Sequence, residues 1–214
     1  MTAGLADVRA RIASTGRDPS DVRVVAMTKG FGSEAVAAAV AAGLRDCGEN
    51  YAQALLAKVD GAPDGTRWHF LGPVQRNKVK RLAPHVAVWQ GIDREAAAVE
   101  VARHRPGAAV LVQVNLAGDA ARPGCGWDDV ATLVARCLAA GLDVQGLMGV
   151  AVPRPVLARS QFRRLASVAA ELGLPELSMG MSADLEVAVE EGATTVRIGT
   201  ALFGARPGTA AARR

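Results

Sequence analysis

The sequence predicts an α/β fold: a single (β/α)8 barrel of the TIM type. Three observations predict it. Apolar, strand-like runs alternate with helix-like stretches along the 214-residue chain. Eight such runs can be counted, which is the number a closed barrel requires. Glycines and polar residues gather at the C-terminal ends of the runs, while the bodies are apolar. A doubly wound open sheet is the rival, and the chain is short for a barrel. The glycine fingerprint of a nucleotide-binding sheet is missing after the first strand, where Thr28-Lys29-Gly30-Phe31-Gly32-Ser33 stands instead.

The strands are expected at 22–28, 44–48, 67–71, 86–90, 109–115, 143–148, 176–179 and 194–198. An amphipathic N-terminal helix with early charge precedes them. Ser33 is read as the cap of a helix over 34–42 that Gly43 ends, and Asp93 as the cap of 94–103. Asp128 opens a helix ended by Gly141, and Ser182 opens 183–191, ended by Gly192. Helices over 50–60, 73–82 and 158–172 fill the remaining slots. The barrel domain is expected over 1–206, with a flexible tail at 207–214.

Half of the residues are apolar and only 4% are aromatic, so the core has to be built from Ala, Val and Leu. Three cysteines without metal-ligand spacing point to a reducing cytoplasm rather than a disulfide framework. No zinc-type cluster and no paired carboxylates with a specific spacing are found. No apolar run reaches the ~18 residues that span a bilayer. The first residues do not form a signal peptide. A net charge of +4 is compatible with anionic ligands and does not call for nucleic acid. The basic stretch 76–81 has no interleaved aromatics and reads as a solvated helix face.

Chemistry concentrates at the strand ends. Lys29 is one of four lysines against twenty-one arginines, and it stands at the end of the first strand. An amine in that position is either a Schiff-base former or an exposed strand-end residue. Lys58, Lys78 and Lys80 read as helix-surface residues. At the last two strand ends, Gly180-Met181-Ser182 and Gly199-Thr200 each lead into a helical turn. Together they offer hydroxyls and backbone N–H groups, which suits a phosphate. Alternatively, Ser182 only caps its helix and Gly199 only turns the chain. Strand alternation turns Thr195, Arg197 and Gly199 to one face, with Val196 and Ile198 toward the outer helices. Arg197 then needs an acceptor, either a ligand or a carboxylate such as Asp184 or Glu49. His69 is either a site residue or a structural histidine, and His85 and His104 look peripheral.

The ordered motifs resemble a known family. Thr28-Lys29, Gly48-Glu-Asn-Tyr51, Trp68-His-Phe-Leu-Gly-Pro-Val-Gln-Arg-Asn-Lys78, Gly146-Leu-Met148, Leu177-Ser-Met-Gly-Met-Ser182 and 196–206 are similar to those of the pyridoxal phosphate homeostasis proteins. These are relatives of the barrel domain of alanine racemase (fold type III). The resemblance runs from about residue 5 to 206. It implies that Lys29 holds pyridoxal 5′-phosphate as a Schiff base. It further implies that Ser182, Gly199 and Thr200 bind the phosphate, with Met181 beside them, and that Arg197 lies next to the pyridine nitrogen. Asn50, His69, Asn115 and Met148 would line the pocket. The chain departs from the family at Gly30, where a bulkier or polar residue is usual, so a more mobile loop is expected. The segment 152–160 is shorter than in the family, and 118–126 lacks a lysine often found there.

The resemblance also implies a carrier rather than an enzyme: a cytoplasmic protein that buffers the cofactor and delivers it to pyridoxal phosphate-dependent apoenzymes. An arginine beside the pyridine nitrogen favours an unprotonated ring, which is a weaker electron sink. Racemases of this fold add a second domain with a tyrosine acid/base. Here the chain stops after strand eight, and its one tyrosine is Tyr51. A monomer is therefore expected, with no nucleic-acid or membrane partner. The rival is a weak racemase or another enzyme of the same chemistry.

Overall fold

The computed structural model describes residues 1–205. The expected tail at 207–214, together with Arg206, lies outside the described residues. The strands are β1 (Arg23–Met27), β2 (Asp46–Glu49), β3 (Arg67–Phe70), β4 (Val86–Ile92), β5 (Ala109–Val114), β6 (Asp143–Gly149), β7 (Glu176–Ser178) and β8 (Thr195–Ile198). All pairings are parallel, and they close into a barrel in chain order. Closure rests on β1 and β8, where Val24 faces Val196 and Val25 faces Arg197. That pairing excludes the open sheet.

The outer layer is α1 (Thr2–Ala13), α2 (Ser33–Ala41), α3 (Ala52–Val59), α4 (Arg76–Leu82), α5 (Glu95–His104), α6 (Val130–Ala139), α7 (Pro155–Glu171), α8 (Leu185–Glu190) and α9 (Thr200–Phe203). Because α9 is a single turn, α1 packs against it and α8 and completes the ring. The approach is close: a Cβ on Gly4 would come within 2.3 Å of the Ala201 carbonyl oxygen.

Alternation along the strands makes two cores. Outward residues such as Val24, Cys47, Trp68, Phe70, Trp89, Val110, Leu147 and Val196 join the helices in one continuous apolar layer. Phe70 and Trp89 meet there edge to face at 5.8 Å. Inside the barrel, the apolar filling is a small cluster of Val88, Leu111 and Met148. Layers of branched side chains are the usual content of such a barrel. Much of this interior is instead polar, occupied by His69, Gln90, Ser178 and Arg197, all buried.

Several helix starts differ from expectation. Ser33 is the first residue of α2 rather than its cap; the cap is Gly32, whose N–H donates to the Glu34 carboxylate at 3.0 Å. Asp93 pairs with Arg94 at 2.6 Å, and α5 begins at Glu95. Asp128 lies in a 3-10 turn, Trp127–Asp129, ahead of α6. In each case a local hydrogen bond or a tighter turn satisfies groups that a cap would otherwise serve. Helix α7 starts at Pro155, earlier than expected, with the proline in the first turn where its missing N–H costs nothing.

Candidate functional site

A cavity of about 310 Å³ opens over one half of the barrel mouth. Its walls come from the ends of four neighbouring strands. Lys29 follows β1, Asn50 follows β2, Met181 and Ser182 follow β7, and Arg197, Gly199 and Thr200 belong to the end of β8 and the start of α9. Met27, Phe31 and Ala183 complete the lining.

Lys29 sits in a tight turn. The Phe31 N–H donates to the Thr28 carbonyl at 3.0 Å, and Gly30 has φ 81°. That is the left-handed conformation the third position of a type II turn demands, and glycine takes it without steric cost. The loop expected to be mobile is thus a closed turn. Lys29 is half-buried, with its ammonium 5.1 Å from the centre of the Tyr51 ring. Phe31 packs on Phe203 at 5.1 Å and ties the turn to α9.

Beneath this turn lies a buried ion pair between residues not expected at the site. Lys58, expected on a helix surface, is only 6% exposed. Its ammonium pairs with Glu49 and donates to the Thr28 carbonyl at 2.8 Å. The Thr28 hydroxyl donates to Glu49 Oε1 at 2.9 Å, and the Asn50 N–H donates to Glu49 Oε2 at 3.3 Å. A signal was available in the sequence. Lys58 falls three positions after Leu55, and the two are the buried residues of α3.

Ser182 does not cap α8, which begins three residues later. Its hydroxyl accepts from the Ala201 N–H at 3.3 Å, joining the two strand ends that were read as a phosphate cradle. Asp184 accepts from the Met181 N–H at 2.6 Å, and Arg11 of α1 donates to the Ser182 carbonyl at 2.9 Å.

Arg197 finds neither Asp184 nor Glu49 as a hydrogen-bond partner. Its guanidinium donates to the Ser178 carbonyl (2.6 Å), the Ser178 hydroxyl (2.8 Å) and the Gly149 carbonyl (2.8 Å). Burial lowers its pKa to about 10, against the opposing charge of Asp184, so it stays protonated at neutral pH. From Arg197 the bonds run on through the barrel. The Ser178 hydroxyl donates to Gln90 at 2.7 Å, and the Gln90 amide nitrogen lies 2.8 Å from His69 Nδ1. The amide must donate there, which leaves the His69 proton on Nε2, 2.8 Å from Asp46.

Three residues of the expected site lie elsewhere. His69 is a link in the chain of bonds inside the barrel. Met148 packs with Val88 and Leu111 inside the barrel. The Asn115 side-chain amide donates to the Asp119 and Arg122 carbonyls at 2.8 and 3.2 Å, ordering its own loop. The physical reason is position: these residues come from β3, β6 and the end of β5, whereas the cavity spans β7, β8, β1 and β2.

Residues 5–207 match the family model described as "Alanine racemase, N-terminal domain". A pyridoxal phosphate homeostasis protein of Pseudomonas aeruginosa is 43% identical over 213 residues, covering 94% of this chain and 92% of that one. The chain belongs to the pyridoxal phosphate homeostasis protein family. Another structural relative is PipY of Synechococcus elongatus, solved with pyridoxal phosphate bound. It is 32% identical with a TM-score of 0.79, covering 92% of this chain and all of that one (100%). Alanine racemase of Clostridium difficile shares the fold at 12% identity and a TM-score of 0.76. The match takes in 97% of this chain and 58% of the racemase. The four cavity-forming strand ends all fall inside residues 5–207. Among the described residues, no helix is long and apolar enough to cross a membrane. No group of three metal-ligating side chains is found among them either.

Proposed function

We propose that this chain binds pyridoxal 5′-phosphate reversibly and serves as its carrier in the cytoplasm. The observation that carries the reading is the shared cavity. Its walls hold one primary amine, Lys29, together with the hydroxyls of Ser182 and Thr200 and the glycine at 199. Gly199 itself supports the fit. Its φ of −115° does not require glycine, and a Cβ there would meet Met27 only at ordinary contact distances of 3.5 Å. Glycine at that point is therefore not demanded by packing; it leaves the cavity floor clear for close approach of a ligand.

In this reading Lys29 supplies the amine, while Ser182, Gly199 and Thr200 hold the phosphate at the start of α9. Asn50 and Met181 flank the ring. Arg197 offers a fixed positive charge and gives up no proton at neutral pH. When bound, the cofactor supplies an aldehyde that condenses reversibly with a primary amine. Lys29 and Arg197 are the only titratable groups among the described lining residues. A wall with no carboxylate, imidazole or thiol suits holding the cofactor more than using it. Delivery to dependent apoenzymes by a monomer completes the proposal.

One observation favours the rival, a weak racemase-type activity: the Tyr51 ring lies beside the Lys29 ammonium, where a phenol can act as a second acid or base. Amino-acid turnover assays with and without added cofactor separate the two. The binding proposal is tested by a visible spectrum with added pyridoxal phosphate, then borohydride reduction and peptide mapping. A single reduced adduct on Lys29 is expected. Adducts scattered over Lys58, Lys78 and Lys80, or no band, would overturn it.

A further inference from the structure

From the ion pair buried under the Lys29 turn, we infer that Lys58 is a positioning residue for Lys29, acting through the Thr28 carbonyl. The inference rests on the cofactor-binding proposal and goes one layer deeper. The Thr28 carbonyl accepts two bonds, from the Phe31 N–H at 3.0 Å and from the Lys58 ammonium at 2.8 Å. The first closes the turn that carries Lys29. The second fastens that turn to α3. Without Lys58, the peptide that leads into Lys29 loses its only side-chain tie to a helix among the described residues.

Glu49 makes the arrangement two-sided. One carboxylate oxygen takes Lys58 and the Thr28 hydroxyl, and the other takes the Asn50 N–H. Lys29 and Asn50 both line the cavity, so a single carboxylate sets the spacing of two of its walls. Thr28 and Glu49 are wholly buried. A charge pair in such a place is weak evidence for stability, because desolvation offsets much of the attraction and an apolar pair often does as well. Its distinctive product is geometry. The ammonium and carboxylate add no net charge beside the cavity, while four directed bonds fix where the reactive amine starts.

Lys58→Met alone strands the buried Glu49 charge and is expected to impair folding. Glu49→Gln/Lys58→Met removes both charges, nearly keeps the volumes, and leaves one amide oxygen to accept from either the Thr28 hydroxyl or the Asn50 N–H. The full-length double variant is compared with wild type for two ligands: pyridoxal phosphate, and its alcohol analogue, which carries the phosphate but no aldehyde. Misplacing a reacting group by about an ångström costs on the order of tenfold or more. We expect affinity for the aldehyde to fall at least tenfold and affinity for the alcohol to stay within about twofold. Equal losses for both ligands, or no loss for either, would overturn the inference. If wild type forms no Lys29 adduct with pyridoxal phosphate, the cofactor proposal fails separately. The positioning is then read from reductive labelling of Lys29 by formaldehyde, followed by mass spectrometry. A changed Lys29 rate in the double variant supports positioning, and an unchanged rate overturns it.

Discussion

Arg11, in the first helix, donates to the backbone carbonyl of Ser182 at 2.9 Å and grips Glu186 with two further bonds of 2.6 and 2.8 Å. The loop that carries a proposed phosphate ligand is thus held from behind by a residue far away in sequence. Arg11→Met should loosen that loop without touching the cavity wall. The grip is partly solvent-exposed, so its worth is discounted to about 1 kcal/mol. Affinity for the alcohol analogue should fall roughly fivefold while the Lys29 adduct still forms. Titration of both proteins by fluorescence checks this, and an unchanged affinity would show that the loop stands without the brace.

The same grip predicts a pH dependence. The hydrogen bond from Arg11 holds the Glu186 carboxyl below its ordinary value of 4.5, with burial opposing. A carboxyl lowered in the folded state stabilises it above the ordinary value, and this contribution is lost as pH falls through the folded value. Wild type should melt higher than Glu186→Gln at neutral pH, and the gap should narrow as pH falls below 4.5. A gap that grows on acidification would contradict the assignment.

Gly30→Ala tests the turn. An alanine at φ 81° is strained by about 1–2 kcal/mol. A lower midpoint in urea with an unchanged slope is expected. If the variant is as stable as wild type, the turn relaxes at no cost and does not fix Lys29.

The phosphate cradle is separable from the amine. Ser182→Ala with Thr200→Val should weaken pyridoxal phosphate at least about tenfold. Borohydride trapping of unphosphorylated pyridoxal on Lys29 should be unaffected. Equal cofactor retention in the double variant would remove those hydroxyls from the site.

The cysteines give a probe of unfolding. Burial pushes Cys47 and Cys125 up to about 12 and Cys137 to about 11. At pH 8 the thiolate fraction of the first two is on the order of 10⁻⁴. Native protein should resist a thiol-specific dye, and denaturant should release all three thiols together. A fast-reacting thiol in the native state would contradict this.

The strands were legible because apolar runs bounded by glycine and polar residues have few other readings, and all eight strands lie within about two residues of expectation. Helix ends marked by glycine were equally clear: Gly43, Gly141 and Gly192 take positive φ after α2, α6 and α8. Caps were less so, since Ser33 and Ser182 are good caps by chemistry and tertiary partners decide otherwise. Lys29, Ser182, Arg197, Gly199 and Thr200 share one cavity because strand ends in a barrel converge by topology. Lys58 was read as surface because charge alone suggests solvent; the buried Glu49 that claims it lies on another element. The polar chain from Arg197 through Gln90 and His69 to Asp46 was invisible for the same reason. It depends on which strands face each other across the barrel, and local sequence does not encode that.

The helix that completes the outer ring is made before any of the eight strands, yet α9, on which it docks, is made after them. Arg11 and Ser182 are 171 positions apart, and Gly4 rests on Ala201. During synthesis, α1 has to remain unpartnered until β8 and α9 emerge, and the amine of Lys29 has no opposite wall until then. Cofactor capture is therefore a late event in the life of each nascent chain. Unfinished chains are left without the ligand's stabilisation, open to chaperones and proteases.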